Sequence, residues 1–156
     1  MATYEEIYQM EKVVADELER ILSSKFDRVV TPYTTKTKKT PTLYVNVLNN
    51  GPTNHIHLIR DSNGVLEEAV NDTFNLIVEI TLFAERKSTS IDKIPQYIAD
   101  IKTLLQYKNV FNLTNHTVLD WTYSNTINQL SETNNEDIIL ITYNMVLGVN
   151  PDAWPQ

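Results

Sequence analysis

The sequence predicts an α+β fold: a mainly antiparallel β-sheet packed against two α-helices, with an extended hairpin or loop near 31–42. Three observations predict it. Apolar residues recur at helical spacing near the N-terminus, several later segments alternate with period two, and one further helical pattern near 92–108 interrupts the strands instead of following each of them.

The first element, "TYEEIYQMEKVVADELERILSSKF", reads as one helix. Thr3 with Glu6 makes a capping box, and Ile7, Met10, Val14, Leu18 and Ile21 form an apolar stripe with the carboxylates opposite. From Asp27 the period changes. In "TLYVNVL", Leu43, Val45 and Val47 point to one side and Tyr44 and Asn46 to the other. Pro32 and Pro41 bracket the residues between, and 33–40 read as an exposed hairpin tip or long loop, because proline disfavours the interior of a paired strand.

"NHIHLIRDSNGVLEEAV" predicts a second hairpin turning at Asn63-Gly64, two residues that tolerate positive φ. "FNLIVEITLFAE" is the strongest strand. Leu76, Val78, Ile80 and Leu82 face one way with Ile77 and Phe83 across from them, which predicts a central strand covered on both faces. Asp92 or Ser90 then caps the second helix, "KIPQYIADIKTLLQYK", whose stripe is Ile94, Ile98, Ile101 and Leu105. Strands around "HTVLDWTY" and "EDIILITYNMVLG" close the chain. The Asn- and Thr-rich "SNTINQLSETNN" between them has no hydrophobic period and reads as a surface connection.

At 156 residues a single domain, 1–156, is expected, large enough to fold on its own core. Hydrophobic content of 42% and charged content of 21% are ordinary for a globular chain. Cysteine is absent, which removes disulfides, thiolate nucleophiles and cysteine zinc sites. No segment has the length and apolarity of a signal peptide or a membrane span, so synthesis in the cytosol is the simplest expectation, and the Asn-x-Thr triplets at Asn71, Asn112 and Asn115 carry no sign of being used.

Charge is laid out unevenly. The formal net charge is −7, yet five of the 13 Lys and Arg residues (Lys25, Arg28, Lys36, Lys38 and Lys39) lie in one short window, and none follows Lys108. Separated signs let a chain pair with copies of itself, mainly by setting orientation and encounter rate.

Chemistry is sparse. There is no nucleophile elbow, phosphate loop, His-Glu-x-x-His or dinucleotide fingerprint, and three glycines nearly exclude phosphate-cradling loops. An enzyme is therefore not expected, nor a cofactor. His55-x-His57, even with His116, falls short of a zinc ligand set, so structural or exposed histidines are the expectation. "DSNGVLEE" has a faint calcium-loop look that a hairpin turn explains, and adjacent Glu67 and Glu68 point to opposite faces of a strand. Lys36, Lys38 and Lys39 beside Tyr33 and Tyr44 could contact nucleic acid, but a pI near 4.9 favours a solvated loop or a protein-contact arm. Trp154 in "GVNPDAWPQ" either pins to the domain's own core or docks on a neighbour. The candidate inter-subunit or partner contacts are thus Lys36, Lys38, Lys39, Tyr33 and Trp154.

The order of elements carries a likeness. An acidic amphipathic N-terminal helix, a Pro-flanked strand hairpin, a long central strand ending in "EITLFAER", the helix "IPQYIADIKTLLQ" and the closing "NNEDIILITYNMVLG" resemble the tail terminator (tail completion, or neck) proteins of tailed bacteriophages. The likeness spans nearly the whole chain and lies in arrangement, with no signature motif. It implies a non-enzymatic virion protein: a ring, usually of six subunits, that caps the tail tube, ends its polymerisation and meets the head connector. DNA would pass through the lumen without specific binding, with no membrane involved. A head-tail adaptor or stopper, or another phage structural subunit, is the neighbouring reading. A small acidic binding module of the DNA-mimic or antirestriction type is the rival from another class; it predicts regularly spaced acids, which the sequence lacks.

Overall fold

The computed structural model describes residues 2–34, 41–53, 56–60, 63–64, 66–85, 93–131 and 136–155, with 56–60, 66–71, 130 and 131 described by their backbone alone. It is α+β, as the periodicities predict.

The capping box forms: the Thr3 hydroxyl accepts from the Glu6 N–H at 3.2 Å, and the Thr3 N–H donates to the Glu6 carboxylate at 2.8 Å. One continuous helix does not follow. Gln9 leaves helical geometry at φ −85°, ψ 41° and divides the segment into α1 (Tyr4–Tyr8) and α2 (Met10–Leu22). The break lies where the buried imidazole of His116 reaches the carbonyl of Ile7. The apolar stripe survives it, because Ile7, Met10, Val14, Leu18 and Ile21 are all buried.

Among the described residues seven strands follow: β1 (Val29–Val30), β2 (Thr42–Pro52), β3 (Ile56–Arg60), β4 (Leu66–Asn71), β5 (Thr73–Glu85), β6 (His116–Ser131) and β7 (Glu136–Val149). The third helix, α3 (Lys93–Leu104), separates β5 from β6; it ends four residues before the expected Lys108, and a 3-10 turn follows at Lys108–Val110. The residues considered for its cap, Ser90 and Asp92, lie outside the described residues. The main sheet has the order β1-β2-β5-β7-β6, antiparallel throughout except for the β1–β2 pair. β3 and β4 form the expected antiparallel hairpin as a separate two-stranded sheet, with Gly64 at φ 78° in the turn.

Near 31–42 a hairpin or a loop is expected; β1 runs parallel to β2, and the strands of a hairpin are antiparallel, so the flanking strands fit the loop. Its residues 35–40 lie outside the described residues. β6 continues through Ser131, so most of the stretch read as a surface connection is strand paired to β7. An edge strand extending past the core needs no alternating apolar residues, and β-branched Thr122, Thr126 and Ile127 suit it as well. Finally, β5 is central but buried on one face only: Leu76, Val78, Ile80, Leu82 and Ala84 are buried, while Ile77, Glu79, Thr81 and Phe83 are half-buried.

The core lies between that buried face and the helices. Leu43, Val45 and Val47 of β2, the β5 row and Ile139, Ile141, Tyr143, Met145 and Leu147 of β7 meet α2 and the Ile94 and Ile101 side of α3. Burying such side chains contributes about 1.5–3 kcal/mol each.

Candidate interaction face

The other face of the main sheet follows from the strand register. Period-two alternation that sends Val45, Ile80 and Ile141 inward sends their neighbours outward, and cross-strand pairing sorts these into rows over β2, β5, β7 and β6. One row is Tyr44, Thr81, Leu140 and Ile127. Beside it run Thr42, Phe83, Ile138 and Gln129. The row on the other side of Tyr44 is polar, with Asn46, Glu79, Thr142 and Asn125, and beyond it lie Leu48, Ile77, Asn144 and Thr122.

Apart from Thr42, which is buried, this face is only partly covered. Tyr44 is 42% exposed, Leu48 41% and Ile127 43%, against 0% for Val45, Val78 and Ile141 on the inner face. Tyr44, Leu140, Ile127, Phe83 and Ile138 fall in two adjacent rows and so form one patch. Tyr44 and Ile127 are exposed and the other three half-buried, and contiguous apolar surface left incompletely covered in this way is suited to contact with another molecule.

Among the described residues of these strands the charge is of one sign. None of the chain's 13 Lys and Arg residues lies on β2, β5, β6 or β7. Glu79 sits half-buried in the polar row, Asp120 is opposite Val146, and Glu85 is opposite Glu136.

The residues singled out from the sequence sit elsewhere. Tyr33 is exposed, its backbone N–H donating to the Thr31 hydroxyl at 3.1 Å and its ring 6.0 Å from the Lys12 ammonium of α2. Trp154 is buried against α1, its ring 6.2 Å from Tyr4 and 6.1 Å from Tyr8. The structure therefore does not bring Tyr33 and Trp154 together: each packs on a different N-terminal helix. Burial in the chain's own core also leaves Trp154 little surface to offer a neighbour. Lys36, Lys38 and Lys39 lie outside the described residues, as does His55.

A polar tether fixes the segment before β6. Glu17 accepts from the Arg20 guanidinium at 2.5 Å and from the Asn112 backbone N–H at 2.6 Å, while Arg20 also donates to the Val110 carbonyl at 3.1 Å. Burial alone would raise the Glu17 pKa, but these donors together hold it below the usual carboxylate value.

The outer face was missed in the sequence because Ile77 and Phe83 opposite Leu76 and Leu82 read as a strand covered twice. The available signal was the absence of Lys and Arg from four strands.

Comparison with known proteins begins with two negatives: no family model matches the chain, and no curated protein matches it. Solved structures do match. One chain, known by a sequence designation alone, superposes with a TM-score of 0.60 at 13% identity, over 93% of this chain and 97% of its own. The two share a fold. Another, from "Virion of native gene transfer agent (GTA) particle", has a TM-score of 0.49 at 11% identity over 84% of each chain, too low to support an inference.

Proposed function

We propose that the chain is a structural virion protein: a tail terminator or neck subunit that forms a ring of six, caps the phage tail tube and joins it to the head connector. The observation that carries this reading is the half-covered sheet. Helices bury one face, and the other presents an apolar patch with carboxylates and, among the described residues of its four long strands, no Lys or Arg, a surface suited to another protein chain. The order of elements, which resembles that of tail terminators, supplies the particular assembly.

The physics of the role is that of a closed ring. A head-to-tail contact repeated by a rotation that closes needs two unlike, complementary patches on each subunit, and the separation of acidic and basic residues meets that need. Net negative charge also keeps DNA phosphates from adhering as they pass. No bond is made or broken, so the protein works as a shaped stop and adaptor.

The test is the mass of the purified protein by light scattering at low and moderate salt, with negative-stain images of the same sample. A ring of about six subunits with a central hole supports the reading. A monomer or dimer at every concentration removes it and favours a small acidic binding module.

A further inference from the structure

We propose that a cleft on the inner side of the main sheet, between the end of α3 and strands β6 and β7, binds a small carboxylate carried on a single ring or a short apolar chain. The site is separate from the outer face of the sheet and does not depend on a ring.

Strand register builds one wall. An irregularity in the β6–β7 pairing between Val118 and Asp120 brings Trp121 opposite Met145 and Tyr123 opposite Tyr143, the inward residues of β7. Trp121 then stacks on Tyr143, Tyr123 meets the Tyr143 ring edge-on at 5.8 Å, and Phe111 backs Trp121 at 4.9 Å. The hydrogen bond from the Trp121 indole to the Leu105 carbonyl ties this wall to the end of α3.

The other wall is Lys102, Leu105 and Gln106, and the space enclosed is about 180 Å³. A cavity of about 150 Å³ holds benzene, so this cleft has room for one ring or one short side chain and not for a larger ligand. The α3 layer stops short of covering β6 here, which leaves Tyr123 43% exposed at the mouth.

Polar chemistry selects the ligand. Tyr143 lines the cleft and is 3% exposed, and its phenol makes no hydrogen bond among the described residues. A buried hydroxyl left without a partner is costly, so a ligand that offers it an acceptor gains more than the same contact would give in water. The Lys102 ammonium lies over the Tyr123 ring, 4.5 Å from its centroid, and the Gln106 amide adds a further donor. The remaining polar tips are occupied: the Tyr123 hydroxyl pairs with that of Thr126 at 2.7 Å, and the Trp121 N–H with Leu105. Donors on an apolar slot, with no Asp or Glu among the described residues that line it, match a carboxylate.

Benzoate is the probe, and benzamide its uncharged counterpart. In a titration followed by the NMR signal of the Trp121 indole N–H, benzoate should give a saturable shift, with benzamide about tenfold weaker and the Trp154 indole unmoved. Tyr143→Phe keeps the stack but removes the phenol, and Lys102→Gln changes an exposed side chain; each should weaken benzoate about tenfold. Circular dichroism checks that both fold. A shift that survives both variants, or an equal response to benzamide, would mean an adventitious contact and overturn the site, as would a benzoate Kd weaker than about 10 mM. Light scattering of the wild type with and without saturating benzoate separates the two sources of such a group. A lowered mass assigns the carboxylate to a neighbouring protein chain, and an unchanged mass to a free acid.

Discussion

The Nε2–H of His116 donates to the carbonyl oxygen of Ile7 at 2.8 Å, joining the first residue of β6 to the break between α1 and α2. A carbonyl only accepts, so this contact fixes the neutral tautomer with its proton on Nε2. The imidazole is 3% exposed. Burial pushes its pKa below the ordinary histidine value, against the smaller opposite pull of the Ile7 carbonyl.

That direction sets a pH dependence. The unfolded chain takes up a proton near the ordinary histidine pKa of about 6.5, while the folded one resists until lower pH. His116 therefore contributes stability fully above about pH 6.5, and the contribution is lost as pH falls through the depressed folded value. Replacing it with Gln, which has no such titration, should flatten the stability profile between pH 7.5 and pH 5 on an approximate scale set by that ordinary pKa. The measurement is the denaturant midpoint of both proteins across the range. Parallel profiles would show that the buried imidazole does not control this region.

Glu17 acts in a lower window. Its folded pKa is depressed despite burial, so its contribution is present above the ordinary carboxylate value of about 4.3 and is lost as pH falls through the folded value. Glu17→Gln keeps the size but replaces charge-assisted acceptance from Arg20 and the Asn112 N–H with weaker bonds. A loss of about 1 kcal/mol at pH 7 is expected. Hydrogen exchange of the Asn112 amide gives the local check, because it should quicken more than amides of β5.

These two residues show what the sequence could and could not reveal. The stripe from Ile7 to Ile21 and the alternations in β2, β5 and β7 follow from local periods, so the helices, the strands and their core faces were legible. The break at Gln9 was not, because its partner His116 is 109 positions away from Ile7 and nothing local marks it. The length of β6 was hidden for another reason: an edge strand beyond the core carries no alternating pattern, although its Thr and Ile residues favoured extension. For the outer face, amino-acid type alone could not say whether Ile77 and Phe83 meet a second layer within the chain. Trp154 was seen as an anchor with two possible docks, and the answer depended on Tyr4 and Tyr8, far away in sequence.

The Trp154 contacts lead to a stability prediction. Its ring joins Tyr4 and Tyr8, Tyr8 meets Phe74 edge-on at 6.2 Å, and the Ala2 N–H donates to the Ala153 carbonyl at 2.9 Å. The two terminal segments thus pack on each other. Trp154→Ala should cost about 3–5 kcal/mol, and Trp154→Phe distinctly less because part of the ring contact remains. Urea unfolding measures both. Near-neutral Trp154→Ala would mean that the terminal segment is not part of the cooperative core.

Tyr143 supplies the last prediction, at the alkaline end. Its ring lies stacked on Trp121 at 4.4 Å with an interplanar angle of 6°, and Trp121 in turn donates its indole N–H to the Leu105 carbonyl at 2.7 Å. Burial first, and then the charge that nearby Tyr123 would carry, push the Tyr143 phenol up to about 12. Unfolding releases it to the ordinary value of about 10, so the neutral phenol contributes stability that is intact below that value and lost as pH rises toward the folded one. Tyr143→Phe keeps the stack on Trp121 and cannot ionise. Its stability should therefore fall less steeply than that of the wild type over this alkaline range. Denaturant midpoints of the two proteins test the slope, and absorbance titration of the phenolates should show one tyrosine fewer ionising late in the variant. Equal slopes would mean that Tyr143 reaches water more freely than its packing against Trp121 allows.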